Sequence, residues 1–518
     1  MKTFSAIFII TFFSVAAFAQ AGELDSTFDS DGIVSTAIGA GNDGARSMAI
    51  QSDGKIIAAG YSSDGVYEYY FTLARYNSDG TLDNSFGNGG EVITAIGSSN
   101  DHAYALAIQP DGKIIAAGFS FNGTDKDIAV ARYNSDGTPD NSFSNDGKVT
   151  TAIGTDQDVA FAVTLQPDGK IIVAGYSWNG NEAEDFALVR YNSDGSLDNS
   201  FSADGKVTTA VGSYGDAAWS VALQPDAKIV AAGISFNGSD PDFAIVRYNA
   251  DGTLDNSFGT AGIVTTAIGS WNDDAYSMAL QPDGKIVVAG DSWNGTDYDF
   301  ALARYNTDGV LDTSFNTDGK VITDIGTYDD FAYSLALQPD GKMVVAGSAI
   351  TTGYNDFALV RYNTNGSPDI NFSTDGMVTT DISSNNDEAL SVALQPDGKI
   401  VAAGQSYNVL DYDFALARYL NELALGDISF TSSPASILIY PNPIHQTETL
   451  EYTLTTNESL TIALYDVSGK LIKNFISNEQ RTAGEHKEIL NIGALSSGNY
   501  FLTLSNGLQK MTVKMVQQ

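Results

Sequence analysis

Between residues 22 and 420 the chain alternates short apolar runs with clusters of Gly, Asp, Asn and Pro. Such alternation is typical of β-strands separated by tight turns. One copy of the pattern, from Ala275 to Asp330, contains the runs AYSMALQ, KIVVAGDS, FALARYN and KVITDIG. Pro282-Asp283-Gly284 and Asn294-Gly295 supply turn chemistry between these runs. We name the four predicted strands a, b, c and d in chain order.

The pattern recurs with a strict period. Its clearest marker is the turn QPDGK, written QSDGK in the first copy and QPDAK in the fourth. The turn begins at Gln51, Gln109, Gln166, Gln224, Gln281, Gln338 and Gln395, with spacings of 58, 57, 58, 57, 57 and 57 residues. Repeats of one four-stranded unit predict an all-β fold, a seven-bladed β-propeller over residues 22–420.

The two ends of the array predict how the ring closes. The chain enters the array with a d-type strand at Gly32–Ile38, and the last copy stops after strand c at Arg418-Tyr419. We therefore expect the N-terminal strand to complete the last blade. Closure of this kind removes two exposed sheet edges.

Outside the array, residues 1–19 have the pattern of a signal peptide. Lys2 precedes an apolar core at Ile7–Val15, and Ala17-Phe18-Ala19 forms a small-residue cleavage site. No later stretch is long enough to be a transmembrane segment, so we expect an exported protein. The sequence contains no cysteine, and disulfides therefore play no part.

The repeat ends before residues 421–436, which we interpret as a linker. From residue 437 to 518, strand signals recur about every 10 residues and predict a small β-sandwich. This segment contains Tyr440-Pro441-Asn442-Pro443, then LYDVSGK from Leu464, LSSGNYF from Leu495, and a basic end at Lys510–Val516.

These motifs resemble the C-terminal sorting domain (type A) of the type IX secretion system. The resemblance implies a Bacteroidota-type host, the type IX secretion machinery as a partner of residues 437–518, and a final location at the cell surface or in the medium. The array is similar to the delta-60 repeat family through QPDGKIVVAG, FALARYN and LDNSFG. That second resemblance implies a propeller-like fold.

Charge narrows the range of partners. The formal net charge is −38, and residues 1–420 hold 55 of the acidic residues against 20 basic ones. This excess argues against nucleic acid and anionic membranes as partners. Cations, basic proteins and neutral glycans stay compatible with it.

One aspartate lies eight residues before each QPDGK glutamine and precedes strand a. The seven are Asp43, Asp101, Asp158, Asp216, Asp273, Asp330 and Asp387. If strand a is innermost, they ring one mouth of a channel and could form a cation site. Alternatively, each caps backbone N–H groups in its own d–a loop, which we favour because every copy has it. Calcium is a candidate cofactor at these seven aspartates and at the run from Asn77 to Asp83.

Every copy also ends strand c with Arg-Tyr, and in the first six copies an aspartate follows eight residues after the arginine. The arginines are Arg75, Arg132, Arg190, Arg247, Arg304, Arg361 and Arg418. Their expected partners are Asp83, Asp140, Asp198, Asp255, Asp312, Asp369 and, across the closure, Asp25. We predict structural ion pairs, because all seven copies have them.

The loops at one end of the predicted sheets vary between copies. In an antiparallel meander the b–c and d–a loops share that end, whereas the a–b and c–d connections at the other end are nearly uniform. The variable loops carry the aromatic residues Phe121, Trp178, Phe236 and Trp293 (b–c) and Tyr214, Trp271 and Tyr328 (d–a). Aromatic rings beside carboxylates predict a rim that binds a glycan or a protein. The alternative is that each ring packs on the neighbouring blade.

Catalytic signals are weak. His102 is the only histidine of the array, which we interpret as an incidental loop residue, and no cysteine can act as a nucleophile. We therefore predict a monomeric, non-enzymatic, exported propeller that binds a glycan or protein ligand at or outside the cell surface. The alternatives are a carbohydrate-active hydrolase or lyase that uses rim carboxylates, and a surface scaffold without a specific site.

Overall fold

The computed structural model describes residues 20–421, apart from 67, 179, 181–182 and 352. In the C-terminal part it describes residues 438–440, 447–454, 458–466, 471–493, 495, 498–505 and 510–517. The predicted signal peptide and all but the first residue of the predicted linker lie outside these residues. The chain divides into two units, one spanning Gln20–Glu422 and the other holding the C-terminal strands. No helix within the described residues is long and apolar enough to cross a membrane.

The first unit consists of seven antiparallel sheets of four strands each. Strands a are Asp43–Ile50, Ser99–Ile108, Asp158–Leu165, Asp216–Leu223, Asp273–Leu280, Asp330–Leu337 and Asp387–Leu394. Strands b are Ile56–Ser63, Ile114–Phe121, Ile171–Trp178, Ile229–Phe236, Ile286–Trp293, Met343–Ile350 and Ile400–Tyr407. Strands c are Tyr69–Tyr76, Lys126–Tyr133, Glu184–Tyr191, Pro241–Tyr248, Tyr298–Tyr305, Asn355–Tyr362 and Tyr412–Tyr419. Strands d are Glu91–Thr94, Lys148–Thr151, Lys206–Thr209, Ile263–Thr266, Lys320–Thr323, Met377–Thr380 and, for the seventh sheet, Ile33–Thr36.

Strand a of each sheet contacts strand a of the next sheet, and that of the seventh contacts that of the first. Strands a therefore form a closed inner ring, and the predicted seven-bladed β-propeller is confirmed. The predicted closure is confirmed as well, because Ile33–Thr36 pairs antiparallel with Phe414–Ala417 of the last strand c. The Asp25 amide also donates to the Arg418 carbonyl (2.8 Å).

Adjacent blades share their apolar core. Each cluster of buried residues combines side chains from two neighbouring sheets, as in the cluster that contains Ile245, Phe258, Val288 and Tyr305. In six blades the buried tyrosine that ends strand c also donates its hydroxyl to a threonine of the preceding strand d. These pairs are Tyr76–Thr36, Tyr133–Thr94, Tyr191–Thr151, Tyr248–Thr209, Tyr362–Thr323 and Tyr419–Thr380.

The predicted Arg–Asp pairs are confirmed in all seven blades, with N···O distances of 2.7–2.9 Å. In the third blade, Arg190 Nε donates to Asp198, and Arg190 Nη1 donates to the Ala250 carbonyl of the next blade (2.5 Å). The guanidinium lies over the ring of Phe201, and Lys170 Nζ approaches Asp198 at 3.1 Å. Each pair thus ties a c–d loop to the following blade.

The C-terminal unit contains two sheets. Leu438–Tyr440, Thr447–Leu454 and Gly484–Asn491 form a three-stranded sheet. A four-stranded sheet has the order Leu471–Arg481, Glu458–Asp466, Gly498–Ser505, Lys510–Gln517. Buried apolar side chains from both sheets form one cluster, which is the packing expected of the predicted β-sandwich.

Candidate functional site

Every strand a carries a bulge at the same place. The pairing register with strand b skips one residue there, three positions after the repeated aspartate. The skipped residues are Arg46, Tyr104, Phe161, Trp219, Tyr276, Tyr333 and Leu390, and all seven border one cavity of about 470 Å³ inside the ring of strands a. A bulge re-aims the extra side chain, and a cavity of this size is typical of small-ligand sites.

A glycine in strand b makes each bulge sterically feasible. A Cβ atom on Gly233 would lie 1.9 Å from the Ala217 carbonyl oxygen of the adjacent strand a. The same glycine occurs in the other blades as Gly60, Gly118, Gly175, Gly290, Gly347 and Gly404, with carbonyl distances of 1.8–1.9 Å. Only glycine allows this approach, which accounts for the AG pair in each strand b.

The bulged residues of the second to sixth blades form a continuous aromatic wall. Phe161 stacks on Trp219 with ring centroids 3.8 Å apart. Tyr104 packs edge-on against Phe161, Trp219 against Tyr276, and Tyr276 against Tyr333, at 5.2–5.5 Å. One side of the cavity therefore offers aromatic faces to a ligand.

The first and seventh blades contribute charged groups instead. Arg46 Nη2 donates to the Tyr61 hydroxyl (3.3 Å), and that hydroxyl donates to Gln405 Oε1 (3.2 Å). Gln405 Nε2 in turn donates to Glu388 Oε2 (2.9 Å), and Arg46 and Glu388 both border the cavity. The cavity is therefore chemically asymmetric, although the blades that build it are nearly identical.

A carboxyl pair lies in the fifth blade, one step along strand a from the repeated aspartate. Asp274 and Asp291 are direct cross-strand partners, and Asp291 is 0% exposed. Among the described residues neither carboxyl oxygen of Asp291 has a hydrogen-bond partner. Burial and the charge of Asp274 raise the pKa of Asp291 well above its usual value, and burial raises the pKa of Asp274 to about 6. Perturbed carboxyl groups of this kind mark candidate functional positions.

The prediction that His102 is an incidental loop residue is wrong. His102 lies in strand Ser99–Ile108 and is half-buried, with its ring 4.5 Å from that of Tyr61 and 5.0 Å from that of Phe119. Burial and the charges of Arg46 and Lys126 lower the pKa of His102 to about 3, so the imidazole is neutral at physiological pH. The ring extends the aromatic lining next to the cavity.

The seven repeated aspartates cap the d–a loops, as the favoured interpretation predicts. The carboxylate of Asp216, for example, accepts hydrogen bonds from the amides of Val211 (2.8 Å) and Gly212 (2.9 Å). All seven side chains are buried, so they lie inside the loops and not on the wall of the channel as the alternative requires. Calcium binding by this set stays a prediction.

The run from Asn77 to Asp83 also forms a turn. Asp79 Oδ1 accepts from the amide (3.1 Å) and hydroxyl (2.7 Å) of Thr81. Asp83 pairs with Arg75 and Lys55. Because protein cations already neutralise Asp83, this geometry favours the turn over a calcium loop.

The predicted rim aromatics lie at the ends of strands b and in the d–a loops. Phe121, Trp178, Phe236 and Trp293 are the last residues of their strands b and are half-buried. Tyr214 and Trp271 are 54% and 60% exposed. The structure brings Tyr214 against Phe236, with centroids 5.7 Å apart, and packs Trp293 on Tyr298. A ligand contact for any of these residues stays a prediction.

Sequence reasoning missed the bulged residues. A signal for them exists, because the third position after the repeated aspartate reads Arg, Tyr, Phe, Trp, Tyr, Tyr and Leu in the seven copies, whereas the preceding position is always alanine. Simple alternation in strand a does not show that this position turns into the channel.

Comparison with known protein families gives two matches. A family described as a domain of unknown function (DUF5122) beta-propeller matches residues 51–86, 109–143, 166–201, 224–258, 281–315, 338–372 and 395–425. A family described as the secretion system C-terminal sorting domain matches residues 438–518. No curated protein sequence matches the chain.

Solved structures with some likeness include Sqt1 from Chaetomium thermophilum, with 12% identity over 80% of this chain and 95% of that chain and a TM-score of 0.37. The polysaccharide lyase Uly1 has 10% identity, coverage of 79% and 92%, and a TM-score of 0.36. Drosophila Plexin A in complex with Semaphorin 1b has 7% identity, coverage of 78% and 88%, and a TM-score of 0.38. Likenesses this low carry nothing about the activity of this chain.

Proposed function

We propose that the chain is an exported glycan-binding propeller. It belongs to the DUF5122 β-propeller family through seven segments between residues 51 and 425, and residues 438–518 match the secretion system C-terminal sorting domain. The sorting domain supports delivery by the type IX secretion machinery to the cell surface or the extracellular space. Binding uses the cavity inside the ring of strands a together with the aromatic rim of the b–c and d–a loops.

The proposal rests on the positions at which the seven blades differ from one another. The seven blades keep the same core, turns and Arg–Asp pairs, but they differ at the bulged residues that border the cavity. A residue that only supports the fold meets the same constraint in every blade. An asymmetric ligand, in contrast, needs different side chains around its site.

The chemistry of the lining favours a neutral saccharide. Aromatic faces such as those of Phe161, Trp219 and Tyr276 offer flat apolar surfaces to the C–H faces of sugar rings. Arg46 and Glu388 offer a donor and an acceptor for hydroxyl groups. The net charge of −38 disfavours anionic polysaccharides by long-range repulsion.

Intrinsic fluorescence tests the proposal directly, because all four tryptophans of the chain lie at the cavity or the rim: Trp178, Trp219, Trp271 and Trp293. We expect titration of the full chain with neutral oligosaccharides to change the emission. The double variant Trp178→Ala/Trp293→Ala is expected to abolish binding at a stability cost of about 1–2 kcal/mol. Val310→Ala, at an exposed position in a c–d loop, is the matched control and should bind normally.

Two results would reject glycan binding at this face. One is a panel of neutral oligosaccharides that leaves the fluorescence and a parallel calorimetric titration unchanged. The other is a double variant that binds as well as the control. Absence of any saccharide ligand would favour a protein ligand or a surface scaffold, which a pull-down with the exported protein separates.

The carboxyl pair of the fifth blade favours one further candidate, a carbohydrate-active hydrolase or lyase. A carboxyl group with a raised pKa can act as a general acid, and burial and the charge of Asp274 raise the pKa of Asp291 well above its usual value. Under this alternative, Asp291→Asn abolishes turnover of a bound polysaccharide and leaves binding intact. A wild-type protein that binds a saccharide without cleaving it over long incubation excludes the enzyme.

A further inference from the structure

Two of the seven junctions between blades carry an additional aspartate. The residue that follows strand d is alanine at five junctions, namely Ala37, Ala95, Ala152, Ala210 and Ala267. It is Asp324 between the fifth and sixth blades and Asp381 between the sixth and seventh. Because the other five copies have a neutral alanine at this position, the two aspartates add negative charge at defined places in the fold.

At the first of these junctions, Asp324 meets two other carboxylates. Asp299 comes from strand c of the fifth blade, and Asp330 begins strand a of the sixth. One carboxyl oxygen of each residue lies within 4.8 Å of one oxygen of the other two. Asp299 and Asp330 are buried, and Asp324 is exposed. Within the described part of the chain, no lysine or arginine forms a salt bridge with any of the three.

A second observation concerns the hydrogen bonding of Asp330. Its Oδ2 atom accepts hydrogen bonds from the amides of Ile325 (2.7 Å) and Gly326 (3.3 Å). Its Oδ1 atom has no hydrogen-bond partner among the described residues, and the residue is 0% exposed. The cross-strand partner of Asp330 in strand b is Ala349, which has no hydroxyl group to donate. In the six other blades a serine faces the equivalent aspartate: Ser62, Ser120, Ser177, Ser235, Ser292 and Ser406.

An uncompensated cluster of this kind is electrostatically unfavourable without a cation. Burial raises the pKa of Asp330, and the nearby charges of Asp324 and Asp299 raise it further, to about 7. Burial is also the main cause of the raised pKa of Asp299, with Asp324 adding to it. A bound divalent cation would reverse this penalty, because it favours the ionised form of every carboxylate that it contacts.

We propose that Asp299, Asp324 and Asp330 bind a calcium ion at the junction between the fifth and sixth blades. Three carboxylates supply the hard oxygen ligands that Ca²⁺ prefers, whereas the N and S ligands typical of structural zinc sites are absent from the three. The exposed Asp324 leaves the ion accessible from solvent and leaves room for water ligands. The ion links strand c of one blade to strand a of the next.

The second junction serves as an internal comparison. Asp356, Asp381 and Asp387 gather in the same way. Asp356 Oδ2 accepts a hydrogen bond from the Thr351 hydroxyl (2.5 Å), just as Asp299 Oδ2 accepts one from Asn294 Nδ2 (2.8 Å). The two junctions differ at the strand a aspartate, because Asp387 Oδ1 accepts a hydrogen bond from the Ser383 hydroxyl (2.9 Å). Because Asp387 Oδ1 already has a partner, whereas Asp330 Oδ1 has none among the described residues, we assign the calcium site to the first junction only.

The experiment uses the full chain, stripped with EDTA and titrated with Ca²⁺ by calorimetry. Terbium luminescence provides a parallel probe, since Tyr298 adjoins Asp299 and can sensitise a bound Tb³⁺ ion. We expect one Ca²⁺ per chain, displacement of Tb³⁺ by Ca²⁺, and a melting temperature that rises with Ca²⁺ concentration by mass action.

Two variants separate the site from general charge effects. Asp324→Ala restores the alanine of five other junctions, so it should fold, keep its melting temperature in EDTA, and bind Ca²⁺ at least tenfold more weakly. Asp381→Ala removes the same charge from the second cluster and should bind as the wild type does. The proposal is overturned by a wild type that binds no Ca²⁺, or by an Asp324→Ala variant that binds it with unchanged affinity.

Discussion

The strand that closes the propeller is held to the last blade by noncovalent contacts alone, and Phe28 is the residue to test this. Its side chain is fully buried in the cluster between the first and last blades, together with Val34 and Phe414. The Arg418 guanidinium lies over its ring at 4.6 Å. Phe28→Ala removes this packing but leaves the residues of the closing strand, Ile33–Thr36, unchanged.

The magnitude of the effect follows from complete burial. Replacing a buried phenylalanine by alanine costs about 3–5 kcal/mol, because the apolar surface is lost and a cavity remains. We expect a loss of about 4 kcal/mol in the free energy of unfolding for Phe28→Ala, which is large against a typical total of about 5–15 kcal/mol. Phe201→Ala is the matched control, since Phe201 is equally buried and lies under Arg190 at 4.5 Å.

Urea unfolding should give similar losses for both variants, whereas hydrogen exchange should distinguish them. The closing strand is covalently continuous with the first blade, but only noncovalent contacts hold it to the last blade. Phe28→Ala therefore lets it detach while the other blades stay folded. We expect faster amide exchange in Ile33–Thr36 for Phe28→Ala and unchanged exchange there for Phe201→Ala. A loss below about 1 kcal/mol, or unchanged exchange in the closing strand, would show that Phe28 does not hold the ring together.

Three further outcomes are expected. Gly233→Ala should lower the melting temperature and the free energy of unfolding, the latter by about 1–3 kcal/mol or more. The reason is that the added Cβ would lie 1.9 Å from the Ala217 carbonyl oxygen. Gly215→Ala is the control and should lower stability little, because no backbone atom is that close. Folding raises the pKa of Asp291, so ionisation of this group opposes folding and its contribution to wild-type stability falls as the pH rises above about 4. Asp291→Asn should therefore be more stable than wild type in urea unfolding at pH 7. The variant should lose that advantage at pH 4. A chain that lacks residues 437–518 should fold but accumulate in the periplasm of a host with type IX secretion, and its detection in the medium at wild-type levels by immunoblot would contradict this role.

The fold was predictable because its signals are local. Each strand is a short apolar run, each turn has its own glycine, proline or asparagine, and the period of the QPDGK turn fixes the number of blades. The closure followed from a missing strand d after Tyr419 and a surplus one before Asp43. The Arg–Asp pairs were predictable for the same reason, since both partners recur at constant spacing within the repeat.

The candidate site was not predictable to the same extent. Alternation in strand a does not reveal that a bulge turns Trp219 and its counterparts into the channel, because that bulge depends on a glycine in the neighbouring strand. The position of His102 among aromatic rings likewise results from side chains of two blades.

The calcium site depends still more on tertiary structure. Asp299, Asp324 and Asp330 come from a strand c, a d–a loop and a strand a in two different blades, and no motif in the sequence links the three. The sequence alone determines where strands and turns form, since secondary structure here depends on residues that are neighbours in the chain. Only the packed ring decides which carboxylates become buried together, because burial and charge–charge distance set their energies.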